Sequence, residues 1–317
     1  MTENMSVELE DLGRQIKEDP SNLKFRRLYA DNLLENNFPD KALEQYKYLM
    51  GIFSNDPVMH FNIGVVYEKL EQLDLAEESY RKAIGISPND PDFHYNLAFL
   101  LDQKNQISEA IIEYLKTIEL NYEDENAHFN LAYLYAKQDN SVEAIKHFEI
   151  AIRLNPNDIY AHFHLGTQYS KTGQIQKALD EYGKVIQLNS NYSWAYYNIA
   201  CIQYEQGKID EAINNLKKTI DINPKDIDAL KTLANIMIIK KDYILALNYL
   251  EAVILQKPDN GDIHYDIAQV YKSLNEFEDA IFHLEKALGF KESLSVSLGK
   301  VISEAEEIKK SHIKSTN

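Results

Sequence analysis

Alanine recurs every 34 residues through most of this 317-residue chain: Ala42, Ala76, Ala110, Ala144, Ala178, Ala212, Ala246 and Ala280. A second small-residue series keeps the same step: Ala30, Gly64, Ala98, Ala132, Gly166, Ala200, Ala234 and Ala268. Pro20, Pro88, Pro156, Pro224 and Pro258 fall at multiples of it. A period of this length marks a stack of small supersecondary units, none of which can bury its apolar face alone. Eight repeats tile residues 23–294 without insertion: 23–56, 57–90, 91–124, 125–158, 159–192, 193–226, 227–260 and 261–294.

Each repeat carries two helical patterns. In repeat 4, His128, Leu131, Ala132 and Tyr135 take i, i+3, i+4, i+7 spacing, and Ala144, Phe148 and Ala151 mark a second amphipathic stretch. With only 11 glycines and 8 prolines, the chain is expected to be all-α. Between the paired helices sits a residue that tolerates left-handed backbone: Asn37, Asn105, Asp139, Gly173, Gly207 or Asn275. The prolines lie just past second helices, where they stop helical continuation.

Numbered within a repeat, small residues occupy positions 8 and 20, large apolar or aromatic ones positions 11 and 24, and proline position 32. This frame resembles the tetratricopeptide repeat over residues 23–294. The resemblance implies a right-handed superhelical solenoid of antiparallel helix pairs, about one superhelical turn in eight repeats, with first helices lining a concave surface. Residues 1–22 are expected to hold a truncated repeat, its second helix at 5–20. Residues 295–317 are expected to form a capping helix and short tail, with Leu298, Val301, Ile302, Ala305 and Ile308 on one face.

His60, His94, His128, His162 and His264 all stand at position 4. Stacked helices lie about 8–10 Å apart, too far for such a column to share one metal ion with ligand distances of about 2 Å. Tyr196 and Leu230 replace histidine in repeats 6 and 7, which suits packing and not a proton relay. The ladder is expected to pack between helices and bond to nearby carbonyls. His162 and His164, two apart on a helix, diverge.

The resemblance directs positions 2, 5, 6, 9, 12 and 13 toward the concave groove. Position 6 holds Asn62, Asn96, Asn130 and Asn198, with His164 in repeat 5. Amides both donate and accept, so such a column can pair with the backbone of an extended peptide. Beside it stand Tyr95, Phe99, Phe129, Tyr133, Tyr160, Phe163, Trp194, Tyr197 and Tyr204. These are suited to anchoring a partner with large contact area at low entropic cost. The groove's nine candidate acids and seven candidate bases nearly balance, which leaves most of the formal charge of -17 for the outer face and loops. Members of the family that clamp acidic chaperone tails use basic residues where this chain has Tyr95, Phe129 and Phe163, so that specificity is disfavoured. In repeat 7, Lys231, Thr232, Ile238 and Ile239 depart from the pattern and mark a possible apolar contact with a second copy.

The acidic balance opposes nucleic acid and anionic membranes as partners. No apolar run nears the roughly 18 residues of a membrane span. The opening "MTENMSVELEDLGRQ" lacks a basic–apolar leader, and Cys201 is a lone cysteine, so a cytoplasmic protein is expected. No phosphate-binding glycine loop, metal-spaced Cys/His set or serine elbow is present, so neither an enzyme nor a cofactor is expected. The resulting expectation is a scaffold or adaptor that is a monomer or weak homo-oligomer and takes an extended peptide or partner helix in its groove. The other reading is a self-assembling structural or assembly-factor protein.

Overall fold

In a computed structural model, residues 7–315 are described, with side chains from 9 to 310. The leader argument rests partly on residues 1–6, and the end of the expected tail falls on 316–317; both lie outside the described residues. Everything regular among the described residues is helical.

The chain forms two compact units. The N-terminal unit, Met1–Thr172, holds α1 (Val7–Glu18), α2 (Leu23–Glu35), α3 (Pro39–Met50), α4 (Pro57–Lys69) and α5 (Leu73–Ile86). It continues through α6 (Pro91–Gln103), α7 (Ile107–Leu120), α8 (Glu125–Lys137), α9 (Ser141–Leu154) and α10 (Ile159–Lys171). The C-terminal unit, Gly173–Asn317, holds α11 (Ile175–Leu188), α12 (Ser193–Glu205), α13 (Ile209–Ile222) and α14 (Ile227–Ile239). There follow α15 (Tyr243–Ile254), α16 (Gly261–Leu274), α17 (Phe277–Gly289), a 3-10 turn at Lys291–Ser293 and α18 (Leu298–Ser315). Within each unit, consecutive helices pack as neighbours.

Eight turns share one backbone device. Asn37, Glu71, Asn105, Asp139, Gly173, Gly207, Lys241 and Asn275 all have φ between 57° and 76° and are spaced 34 apart. Sequence composition pointed to six of them. Glu71 and Lys241 adopt the same left-handed backbone without the residue type that favours it, because the repeat geometry overrides local preference. A second device recurs before the first helices. Asn22, Asp56, Asp90, Asp124, Asp158, Asp226 and Asn260 each accept a backbone N–H with the side chain, capping α2, α4, α6, α8, α10, α14 and α16.

The small-residue series sit where helices touch. Ala42, Ala76, Ala110 and Ala144 are fully buried, as are Tyr46, Tyr80, Tyr114 and Phe148 at position 24. At Gly64 a Cβ would come within 2.6 Å of the Tyr80 ring, so glycine gives that ring its place. In the C-terminal unit, Ala200, Leu216, Leu233, Ala246 and Leu250 belong to one core. Val301, Ala305 and Ile308 of α18 are buried against Leu284 and Ala287. Leu298 and Ile302 are exposed, which corrects the expected five-residue stripe: the docked face is the narrower i, i+4, i+7 set.

Candidate functional site

The histidine ladder is a structural clasp. Nε2 of His60, His94, His128, His162 and His264 lies 3.0–3.1 Å from the carbonyl oxygen six residues upstream, at Ser54, Pro88, Tyr122, Pro156 and Pro258. Each first helix is thereby tied to the end of the preceding second helix. All but His60 are buried. In His94, His128 and His264 the other ring nitrogen meets position 23 of the same repeat: Glu113 Oε2 at 2.6 Å from His94, His147 Nδ1 at 2.9 Å from His128, and His283 Nδ1 at 3.0 Å from His264. Because Nε2–H of His128 donates to a carbonyl, its neutral ring accepts at Nδ1, and His147 Nδ1–H donates. Burial first, and then the neighbouring histidine ring, push His147 and His283 down to about 4. Position 23 was absent from the sequence reading, although His147 and His283 each stand 19 residues after a ladder histidine. Among the described residues no group of three or more His, Cys, Asp or Glu is placed to hold a metal ion.

The first-helix face of the N-terminal unit differs in character. Phe99 and Tyr133, both at position 9, and Tyr160 at position 2 are 42%, 36% and 62% exposed. Beneath them lies an aromatic floor. His164 stacks on Phe148 with ring centroids 5.8 Å apart and meets Phe129, Tyr133 and Phe163 edge-on at 5.9, 5.3 and 5.6 Å. Burial holds the His164 ring below its usual range, so it behaves as a neutral aromatic member. Lys137 Nζ lies 4.9 Å over the Tyr133 ring and 3.1 Å from Asp102 Oδ1, so the charge beside the exposed tyrosine is neutralised within the chain.

The amide column serves the fold as well as the face. Asn130 Nδ2 donates to Tyr95 OH at 3.1 Å, and Asn96 Nδ2 donates to Asp92 O of its own helix at 2.8 Å. Asn62 Nδ2 makes longer contacts, 3.4 Å to Asp31 Oδ1 and 3.5 Å to Tyr46 OH. Tyr95 is half-buried against Tyr114. The structure therefore gathers Phe129, Tyr133, Phe163 and His164 into one cluster and joins Tyr95 to Asn130. Asn62 and Asn96 engage other groups. Phe148 and Tyr114, second-helix residues that support this face, were read from sequence only as core.

In the C-terminal unit, Trp194 is 49% and Tyr204 36% exposed, while Asn198 is half-buried. Trp194 meets the half-buried Tyr197 edge-on at 6.2 Å. Burial pushes Tyr197 up to about 12, with Cys201 adding to the effect, and burial also raises the Cys201 thiol. Cys201 is thus a protonated packing residue rather than an activated nucleophile. The repeat 7 pair divides: Ile238 packs against the core and Ile239 is 67% exposed.

The tetratricopeptide repeat pattern matches residues 57–90, 125–158 and 193–226, and further forms of it match 237–291, 167–207, 79–112 and 147–180. The chain belongs to the tetratricopeptide repeat family. No curated protein matches it. Among solved structures, MamA is 25% identical, with a TM-score of 0.50 over 52% of this chain and 97% of that one. The C-terminal part of a TPR repeat-containing protein from Cytophaga hutchinsonii is 22% identical, with a TM-score of 0.66 over 75% of this chain and 98% of that one. YrrB, described as a TPR protein with an unusual peptide-binding site, is 22% identical, with a TM-score of 0.55 over 58% of this chain and 95% of that one. At 22% identity the likeness is one of tetratricopeptide fold. No helix among the described residues is long and apolar enough to cross a membrane.

Proposed function

We propose that this protein is a non-catalytic interaction scaffold that captures an extended segment or helix of a partner protein on the first-helix face of its N-terminal unit. One observation carries the reading. Phe99 and Tyr133 occupy the same position of consecutive repeats and are exposed, while Phe129, Phe163 and His164 beside them form a packed floor. Exposed aromatics on rigid supports are the usual anchors of protein interfaces, because little conformational freedom is lost when they are covered. Membership of the repeat family and the peptide-binding site named for YrrB support this use of the face. In the C-terminal unit, Trp194, Tyr197, Asn198 and Tyr204 are a second candidate contact of the same kind. The protein is read as acting in the cytoplasm, without cofactor or nucleic acid.

Selection from a displayed library of random 16-residue peptides tests the reading. The parent protein is expected to enrich peptides with two or more large apolar residues, and Tyr133→Ala/Phe99→Ala is expected to enrich none of them. Equal enrichment by parent and variant would remove the proposal. Exposed Ile239 favours the self-association reading at one place only, and light scattering over a hundredfold concentration range separates the two. A constant monomer mass excludes self-association.

A further inference from the structure

Position 6 holds asparagine in repeats 2, 3, 4 and 6 and histidine in repeat 5, at His164. This ring stands in the middle of the aromatic floor, stacked on Phe148 at an interplanar angle of 9°, with Phe129, Tyr133 and Phe163 edge-on around it. It differs from the clasp histidines in one respect. His94, His128 and His264 have both ring nitrogens engaged, whereas neither nitrogen of His164 has a hydrogen-bond partner among the described residues. The residue is half-buried, and its nitrogens are not among the unpartnered side-chain atoms closed to solvent. A neutral imidazole keeps one lone pair as an acceptor, so the floor offers an approaching partner a reachable nitrogen between aromatic rings.

The charges around the ring decide which partner group suits it. Burial keeps His164 below its usual range, so the lone pair is present near neutral pH. The charge acting on the ring is that of Asp158, the N-cap of α10, and it is negative. On α8, Lys137 is matched by Asp102 at 3.1 Å, and α9 contributes the uncharged Phe148. A carboxylate brought to this point meets another acid and no unmatched cation. A lysine or arginine meets an acceptor nitrogen, the field of Asp158 and aromatic faces, in a chain whose formal charge is -17. Lys137, with Nζ 4.9 Å over the Tyr133 ring, already holds an ammonium group against this surface.

We propose that the partner segment carries a lysine or arginine beside its large apolar residues, and that this cationic group donates an N–H to a His164 ring nitrogen while its apolar neighbours cover Phe99 and Tyr133. His164 is thus a specificity-determining residue of the face. The inference rests on the partner-binding face proposed for the N-terminal unit and adds the charge of what it binds.

Peptides from the displayed library, selected on the full chain, provide the test. Enriched peptides are expected to carry at least one lysine or arginine. Enriched peptides free of both overturn the proposal and leave the face intact, whereas enrichment of nothing removes the face and this inference with it. One enriched peptide is then compared by calorimetry at pH 7.5 with the same peptide carrying norleucine in place of its lysine or arginine. The parent is expected to bind the norleucine peptide at least tenfold more weakly. His164→Phe keeps a ring and removes both nitrogens, and it is expected to reduce that ratio at least threefold. A readout in the parent itself does not depend on the variant's folding: the His164 ring nitrogen signal, assigned among nine histidines by His164→Asn, is expected to move at least threefold further with the cationic peptide at saturation than with the norleucine peptide. The proposal is overturned if the parent binds both peptides alike, if His164→Phe keeps the parent's ratio, or if both peptides move the signal equally.

Discussion

Replacing His147 by glutamine removes one titrating ring from the buried pair of repeat 4 while leaving an N–H that can reach His128 Nδ1. Glutamine is already native at the matching place of repeat 1, Gln45, so the substitution suits the geometry. In the folded chain His147 sits at about 4, against an ordinary value of 6.5, chiefly because burial disfavours its charged form. Above pH 6.5 the ring is neutral in both states, and its contribution to stability is fully present. As the pH falls toward 4, the unfolded chain takes up a proton that the folded chain refuses, and the contribution is lost. A gap of about 2.5 pH units at 1.36 kcal/mol each gives a ceiling of roughly 3 kcal/mol, and solvent contact at the ring edge lowers this to about 1–2 kcal/mol at pH 4.5. Urea unfolding followed by far-UV circular dichroism at pH 7.5 and 4.5 measures it. The parent should lose about 1–2 kcal/mol more between these pH values than His147→Gln does. Equal losses would refute the buried neutral pair as a source of acid sensitivity. The groups facing the pair are Asp124, Arg153, Glu143, Lys146 and Tyr135, all unchanged in the variant, so their titration cancels in the comparison.

Backbone and core make further predictions that ordinary thermal melts can check. Gly207→Ala should lower stability by about 1 kcal/mol for conformational reasons alone, since φ is +75° and a Cβ there meets nothing within 4 Å. Glu71→Gly should raise stability by about 0.5 kcal/mol, relief of its left-handed backbone exceeding the added freedom of the unfolded chain. Phe148→Ala should cost about 3–5 kcal/mol and weaken partner binding, because Phe148 is fully buried beneath Phe129 and His164.

The architecture was legible in the sequence because its determinants repeat. Ala76 and Ala110 are each explained by contacts within one or two repeats, so a fixed spacing is enough to reveal them. The turns at Glu71 and Lys241 escaped because their residue types argue against the conformation they adopt. The histidine ladder could be recognised as packing, yet its partners at position 23 could not, since Glu113 and His147 share no single chemistry. The face itself was only half legible. Residue type distinguishes neither the exposed Tyr133 from the half-buried Tyr95 nor an amide turned to a neighbouring repeat from one turned to its own helix. Those distinctions arise from packing between repeats. The α18 stripe shows the same limit, with Ile302 apolar and helical in spacing yet exposed.

Calorimetric titration of one selected peptide against three single variants tests most directly whether binding belongs to the first-helix face. Phe99→Ala and Tyr133→Ala alter that face, and Val142→Ala removes a side chain that is 73% exposed on the second helix α9. At least tenfold weaker binding is expected for each of the first two, corresponding to about 1.4 kcal/mol or more, with Val142→Ala unchanged. Weakening by Val142→Ala with Phe99→Ala and Tyr133→Ala at parental affinity would contradict the account.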